Sequence, residues 1–325
     1  MSRVPGEPLA TAAAAAATRR AGNGRWLVAG AATLWGTTAT LARFVFHDRS
    51  VSPFVVVELR LAIAVAVLGL WLAIRDPSAF RVSASALLEL VVLGAVGVTL
   101  VQVSYYYSIA HLGVGLAILL QYLAPSLIVA LHLIRRQPTR RETALAVLMA
   151  ASGTALLVSR VPREAADATP LQWAVSFASA AFFAGYILLS KRILKTHRPE
   201  TTLFYSFSTA AVVLAIVAPP WRIAAAGYGA DLWLMFVALG LLSTLAPFVL
   251  FNFGLQRMPA AEAGIVATLE PVVAVISAWV FLGERLESLQ WAGAALVLSA
   301  AVLASGAETP TAKRIPATPR QSKLS

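Results

Sequence analysis

Ten long apolar segments, separated by short polar stretches, constrain this chain more than any other feature of its sequence. Each holds about 18–24 residues with few or no charges, the length that an α-helix needs to cross a bilayer. The hydrocarbon has no water to satisfy free backbone groups, so such segments should cross as helices. The sequence therefore predicts an all-α integral membrane protein with ten transmembrane helices. They lie roughly at 26–46, 53–74, 86–109, 113–134, 142–159, 171–190, 201–218, 232–254, 260–282 and 288–305.

The composition agrees with a membrane protein. Of the 325 residues, 59% are hydrophobic and 13% are charged, whereas a soluble domain is about half apolar and about a quarter charged. The net charge of +11 comes from lysines and arginines in the tails and in the loops between apolar segments. Membrane topology explains this charge better than a nucleic-acid partner does, so no nucleic acid is expected.

No metal or cofactor site is predicted. The chain has no cysteine, which excludes disulfides and thiolate ligands. His111 and His132 are 21 residues apart, at opposite ends of one predicted helix, and no acidic cluster joins them. The sequence contains no phosphate-cradling glycine loop and no nucleophile elbow, so an enzyme is not expected.

Loop charge predicts the orientation of the helices. With the N-terminus inside, the cytoplasmic segments hold 19 of the 26 lysines and arginines, and the outer loops hold five. The positive-inside rule and the even number of helices then place both termini in the cytoplasm of a multi-pass cell-membrane protein.

The predicted organisation is two halves between two tails. Residues 26–159 form the first five-helix repeat and residues 171–305 the second, with a connecting outer loop at 160–170. Residues 1–25, which are polar and rich in alanine, and residues 306–325 are predicted to be disordered cytoplasmic tails.

An internal duplication supports these halves. A shift of 146 residues lays 94–159 over 240–305 without a gap, and Pro125 then falls on Pro271. Five helices per half is an odd number, so the halves must be inverted, and the loops after the fourth and ninth helices differ in charge as inversion requires. Inverted repeats commonly form transporters that hold the substrate near the midplane. The alternative is the vague self-similarity that all polytopic helical proteins share.

Short links and internal prolines predict where the helices turn or bend. Ala110–Leu112 and Leu255–Pro259 are tight links, so the helices beside them should form antiparallel hairpins. Pro125, Pro247 and Pro271 lack the N–H that a helix interior needs, which predicts three kinks. The kinks are either joints that open and close or static bends.

Several short motifs, taken in order, resemble the EamA-type branch of the drug/metabolite transporter superfamily over roughly residues 26–305. The motifs are Leu34-Trp35-Gly36, Leu59-Arg60-Leu61-Ala62, Tyr106-Tyr107-Ser108-Ile109-Ala110, Leu269-Glu270-Pro271 and Phe281-Leu282-Gly283-Glu284. The resemblance implies ten helices, two repeats and transport of small metabolites, most commonly export of amino acids or related compounds. One departure is Ala124, which stands where the first half would match Glu270 and where members often carry a polar or acidic residue. A mechanism with a symmetric pair of carboxylates is therefore not expected.

Glu270 is the sharpest candidate for transport chemistry. It lies ten residues into its predicted helix, or about 15 Å from the membrane edge. A carboxylate at that depth costs about 2.5–3.5 kcal/mol unless it is neutralised or paired. Beside the turn that Pro271 loosens, it could bind a substrate ammonium or exchange a coupling proton. The alternative is a hydrogen-bonded glutamate that fixes the kink.

Arg60 and Glu262 also have two interpretations each. Arg60 could meet a substrate carboxylate or a partner such as Glu270, or it could reach the outer interface by snorkelling, as could Glu58. Glu262 follows Pro259 in the first turn of a predicted helix, which favours capping over transport chemistry.

A second group of polar and aromatic residues could line a central cavity. Gln102 and Tyr106 share a helix face, and Tyr106 falls on Asn252 at the shift of 146. Such a lining suits a small amphipathic solute, while the alternative is hydrogen bonding between helices plus an interfacial aromatic belt. The group comprises Trp35, Gln102, Tyr106, Gln121, Tyr122 and Asn252.

The function predicted from these features is secondary active transport. The protein would export a small metabolite by alternating access between its inverted halves. Metabolite uptake or exchange is an alternative that the sequence does not separate from export. An intramembrane enzyme acting on a lipid-linked substrate is an alternative of another class, but it would need acidic or histidine residues clustered at one membrane face. The expected partners are the substrate, the bilayer and a coupling proton, and the sequence also allows a homodimer.

Overall fold

The computed structural model of the chain describes residues 7–47, 49, 51–137, 140–157, 168–282 and 288–306, and these contain helices and no strand. The helices are α1 (Glu7–His47), α2 (Pro53–Arg75), α3 (Ala84–Val92), α4 (Thr99–Gln121), α5 (Ala124–Ile134), α6 (Arg141–Leu157), α7 (Pro170–Ile193), α8 (Pro199–Leu214), α9 (Pro220–Ala225), α10 (Ala230–Ala238), α11 (Ala246–Arg257), α12 (Ala260–Ala267), α13 (Leu269–Leu282) and α14 (Ser288–Gly306). Two π-helical turns, Leu93–Val98 and Leu239–Leu245, join α3 to α4 and α10 to α11. A single 3₁₀ turn, Pro77–Phe80, follows α2.

Five described helical segments are long and apolar enough to cross a membrane unaided. They are Pro53–Arg75, Ala84–Ile109, Ala117–Ile134, Pro170–Ile193 and Ala230–Arg257. Other predicted spans are covered by shorter or interrupted helices, such as α6, α8 and the α12–α13 pair. The protein is thus an all-α membrane protein.

The two π-helical turns are equivalent positions of the inverted repeats, since their first residues are 146 apart. In each, a glycine lets a helix of the other half approach closely. A Cβ on Gly94 would lie 2.5 Å from the Ser206 carbonyl of α8, and one on Gly240 would lie 2.8 Å from Cγ2 of Ile63 and 3.5 Å from the Arg60 carbonyl of α2. Ser206 and Arg60 are themselves 146 apart, so each half holds the other in the same way.

Helix packing joins the two halves. α1 packs against α11 and α13, and α4 packs against α7. The last helices of the two halves, α6 and α14, pack on one another. A Cβ on Gly153 would lie only 2.8 Å from the Gly293 carbonyl, so glycine allows this close approach.

Ion pairs link the two halves at opposite ends of α2. Arg49, just before α2, pairs with Asp231 at the start of α10. Asp76, just after α2, pairs with Arg198 beside the start of α8. Two hydrogen bonds support the second end, since the Tyr205 hydroxyl donates to the Phe80 carbonyl at 2.8 Å and Thr201 donates to Ala79 at 3.3 Å.

The fold differs from the sequence prediction at two places. Residues 7–25 belong to α1, although a disordered tail was expected there; their run of six alanines has a high helix propensity. The predicted link Ala110–Leu112 is helical within α4, so the prediction of a break there is wrong. The second link does break the helix, because Pro259 biases Met258 to an extended backbone. Residues 158–167 and 307–325, with most of the predicted outer loop and C-terminal tail, lie outside the described residues.

Candidate functional site

A cavity of about 80 Å³ lies between the two halves. One ordered water needs about 10–15 Å³, so the cavity has the space of several waters, which suits a compact solute. Seven of the eight residues that the sequence predicted for substrate binding or coupling line it: Trp35, Arg60, Gln102, Tyr106, Gln121, Tyr122 and Glu270.

Glu270 accepts a short hydrogen bond inside this cavity. The Tyr122 hydroxyl donates to its Oε2 at 2.6 Å, a length typical of a charge-assisted bond. Glu270 lies in the first turn of α13, directly after the interruption at Thr268, and Tyr122 lies in the interruption between α4 and α5. The two interruptions are equivalent positions of the inverted repeats, so the helix breaks of the two halves meet here.

Arg60 enters the cavity from the first half and is 3% exposed. Its Nε donates to Oγ1 of Thr244 at 2.8 Å, and its Nη2 donates to the Ser243 carbonyl at 3.1 Å. Its Cζ lies 5.4 Å from the Tyr106 ring centroid, within cation–π range. This burial excludes snorkelling to the interface for Arg60, and Glu58, also 3% exposed, does not snorkel either.

Two nitrogen donors of the cavity residues have no partner in the described part of the chain. They are Nη1 of Arg60 and Nε2 of Gln102, and both are buried. An unsatisfied buried donor costs about 1–3 kcal/mol, and more where it is charged. The cavity is therefore suited to a ligand that brings hydrogen-bond acceptors.

The charged residues break the symmetry of the repeats. At the shift of 146, Arg60 corresponds to Ser206, and Glu270 corresponds to Ala124. The first half thus supplies a basic side chain and the second half an acidic one, although equivalent backbone segments of both halves form the cavity. A ligand in it meets opposite charges from opposite halves.

Aromatic side chains provide an apolar part of the lining. The Trp35 ring meets the edge of Phe248 at a centroid distance of 5.2 Å. Tyr122 meets Phe183 edge-on at 6.2 Å, and Tyr105 meets Tyr106 at 5.5 Å. Such surfaces suit the carbon skeleton of a small solute.

Asn252 is not among the residues that line the cavity. Its Nδ2 donates to the Tyr186 hydroxyl and to the Phe248 carbonyl, both at 2.9 Å. Tyr186 and Asn252 are both almost fully buried, so this pair joins α7 to α11 behind the cavity.

Each internal proline follows an interruption of a helix. Pro125 comes after the turn at Tyr122–Leu123, and Pro271 comes after Thr268. Pro247 is the second residue of α11, which begins directly after a π-helical turn. Pro247 has no N–H, so one carbonyl of the preceding turn lacks a helical donor, and that turn contains the Ser243 carbonyl. Nη2 of Arg60 donates a hydrogen bond to the Ser243 carbonyl.

Several cavity residues were not predicted. They are Tyr105, Phe183, Ser243 and Phe248 in the lining, together with Thr244, which accepts a hydrogen bond from Arg60. Only Ser243 carries a readable signal, because it stands four residues before Pro247. No group of three or more metal-ligating side chains occurs in the described ranges.

Comparison with known proteins agrees with this architecture. The model of the EamA-like transporter family matches residues 22–159 and 172–306. The uncharacterized transporter YwfM of Bacillus subtilis is 27% identical over 284 residues, which cover 85% of this chain and 92% of that protein. The threonine/homoserine exporter RhtA of Escherichia coli is 31% identical over 225 residues, covering 67% of this chain and 70% of that protein.

A solved crystal structure shares the fold. It superposes with a TM-score of 0.70 at 21% identity, covering 86% of this chain and 96% of the other. With a family model that matches both halves, a membrane transporter is established and the intramembrane enzyme is set aside. The chain belongs to the EamA-like transporter family.

Proposed function

We propose that the protein exports a small zwitterionic metabolite, an amino acid or a related compound, by alternating access of its inverted halves. The substrate carboxylate binds Arg60, its ammonium binds Glu270, and a proton on Glu270 couples the cycle. The observation that carries this proposal is the presence of Arg60 and Glu270, from opposite halves, in one cavity.

The donors of the cavity suit a carboxylate. Nη1 of Arg60 and Nε2 of Gln102 are buried and without partners in the described part of the chain, and a guanidinium binds a carboxylate through a charge-assisted hydrogen bond. The carboxylate of Glu270 suits an ammonium in the same way. A zwitterionic substrate neutralises both the Arg60 guanidinium and the Glu270 carboxylate, whereas a purely cationic or anionic solute neutralises only one of them.

Glu270 can also account for coupling. A carboxylate in the membrane interior holds either a proton or a cationic group at low cost, because either one removes its net charge. The two occupants then compete for one site. Export of substrate follows when a proton from outside replaces the ammonium and is released inside as the next substrate binds.

The relatives suggest which amino acids to test first. The RhtA relatives are named threonine/homoserine exporters, and both amino acids carry the carboxylate and ammonium that match Arg60 and Glu270. Their hydroxyl groups could pair with the amide of Gln102 or Gln121. The loop charges support cytoplasmic termini and a cell-membrane location.

Counterflow in proteoliposomes tests the function. Vesicles loaded with threonine, homoserine or another panel member are diluted into the labelled compound at two pH values. We expect counterflow of at least one small zwitterionic amino acid, and Glu270→Gln should abolish its response to pH. The direction follows from whether an imposed pH gradient drives the substrate out of or into the vesicle lumen, with the protein orientation determined by proteolysis of its tails.

Glu262→Gln is the matched control. Glu262 is another buried glutamate of the same half and does not line the cavity. It should keep counterflow and its pH response. Counterflow for no panel member contradicts the proposed substrate class, and an unchanged pH response in Glu270→Gln contradicts the coupling role.

A further inference from the structure

We infer that Thr244 is a positioning residue, which with the Ser243 carbonyl orients Arg60 toward the substrate carboxylate. The inference rests on the proposed function for its substrate. It adds a residue that is not among those lining the cavity and that belongs to the half opposite Arg60.

The anchor is built by the break between α10 and α11. The π-helical turn Leu239–Leu245 and Pro247, which has no N–H, interrupt the α-helical hydrogen bonding around the Ser243 carbonyl. That carbonyl accepts from Nη2 of Arg60 at 3.1 Å, and the Thr244 hydroxyl accepts from Nε at 2.8 Å. A helix break of the second half thus holds the cation of the first half.

Two fixed bonds determine where the third nitrogen points. A guanidinium is planar and presents its donors in a fixed fork, so holding Nε and Nη2 also fixes Nη1. Nη1 is buried and has no partner in the described ranges, and the ring of Tyr106 lies 5.4 Å from Cζ. Without the Thr244 hydroxyl, one bond remains and the fork can rotate about it.

The equivalent turn of the first half shows that the hydroxyl at Thr244 is not required by the turn itself. The residue 146 positions before Thr244 is Val98, and the helix that packs there presents Ser206 instead of an arginine. In that turn a different threonine, Thr99, donates back to the Gly94 carbonyl at 2.9 Å. The π-helical turn is therefore common to both halves, whereas the arginine anchor occurs in one.

Kinetics of three variants test the inference. Thr244→Val should raise the half-saturating threonine concentration about tenfold, because it removes one hydrogen bond to a charged group. The maximal counterflow rate should change little. Thr244→Ser keeps the hydroxyl and should restore the wild-type value. Thr99→Val is the matched control, since it removes a buried hydroxyl from the equivalent turn, and it should leave the half-saturating concentration unchanged.

A second measurement needs no transport. In protein labelled with heavy nitrogen at arginine, the Arg60 Nε–H signal, identified by its loss in Arg60→Lys, should exchange slowly with water. Thr244→Val should speed that exchange at least several-fold, and Thr99→Val should not. An unchanged exchange rate, or equal kinetics in Thr244→Val and Thr99→Val, overturns the inference. If no amino acid shows counterflow, the proposed function fails, while the exchange measurement still decides whether Thr244 anchors Arg60.

Discussion

At the residue scale, Gly36 determines how closely α1 approaches Glu270. A Cβ at this position would lie 2.7 Å from both the Glu270 carbonyl and Cβ of Val273, and 2.9 Å from the Ala274 nitrogen. These are backbone or near-backbone atoms of α13, which a side-chain rotation cannot move. The helix that carries the buried carboxyl therefore needs glycine opposite it.

Gly36→Ala should destabilise the protein by about 1–3 kcal/mol through overpacking, and it should reduce counterflow strongly because α13 must shift. Gly30→Ala, on the same helix, places its Cβ at an ordinary 3.5 Å from Leu250 and should be neutral. Thermal melting of the purified variants and counterflow measure both. Equal behaviour of the two variants would show that the approach of α1 to α13 is not limiting.

Glu270 and Arg60 could be predicted because charge inside an apolar segment is rare and costly. Thr244 could not, because a threonine in an apolar helix ordinarily donates to a carbonyl of its own helix, as Thr38 and Thr154 do here. Nothing in its local sequence distinguishes it from them. Phe183 and Phe248 were missed for a similar reason, since an aromatic residue in a membrane helix can face lipid, a neighbour or a cavity.

At the scale of elements, the helix ends depend on groups supplied by other helices. Lys191 lies on α7, and its Nζ donates hydrogen bonds to carbonyls at the C-terminal end of α11. The acceptors are the carbonyls of Leu255 at 2.6 Å, Gln256 at 3.2 Å and Met258 at 2.7 Å. An ammonium at a helix C-terminus satisfies its free carbonyls and opposes the negative end of the dipole. Lys191 thus joins the break at Met258 to the neighbouring helix.

Lys191→Met should lower the free energy of unfolding by about 1–2 kcal/mol, because three carbonyls lose their donor. Lys195→Met is the control, since Lys195 is exposed in the turn after α7. We expect a lower midpoint of thermal unfolding for the first variant alone. A fall of equal size in both would attribute the effect to charge near the membrane surface instead of to the cap.

Proline accounts for which breaks the sequence could predict. Met258 and Pro259 end α11 where expected, since proline acts locally on the residue before it. The link at Ala110–Leu112 has no proline, and the helix continues through it. The π-helical turns were not predicted. Gly94 and Gly240 lie in them and pack closely against the opposite half, and such a tertiary contact is not visible in the local sequence.

At the scale of the whole molecule, ion pairs that join the halves lie at both ends of α2, and Arg192 with Glu89 also joins the halves. Arg49 lies between α1 and α2, and Arg198 lies in the corresponding connection between α7 and α8. Their partners are Asp231, in the first turn of α10, and Asp76, in the connection that leads to α3. The Ser78 hydroxyl and the Arg198 guanidinium hold the pKa of Asp76 below its usual range, so this pair stays charged at neutral pH and is lost only as the pH falls through that lowered value.

Alternating access requires that the halves separate at one end while they stay together at the other. Each of the pairs Arg49–Asp231 and Asp76–Arg198 bridges the halves at one end only, and such exposed pairs contribute little to stability, so they can break in turn at little cost. Removing one pair should therefore leave transport intact, whereas holding it closed covalently should stop the cycle.

The absence of cysteine from the chain makes this prediction directly testable. Arg49→Cys with Asp231→Cys, and Asp76→Cys with Arg198→Cys, introduce one thiol pair at each end. A short bismaleimide suits them better than a direct disulfide, which tolerates only about 7 Å between Cα atoms. Cross-linking either pair should abolish counterflow, whereas the untreated pairs and the treated single-cysteine variants should retain it. Counterflow that persists after complete cross-linking at either end would mean that the halves do not part there, and that the rocking of one half against the other is not the transport motion.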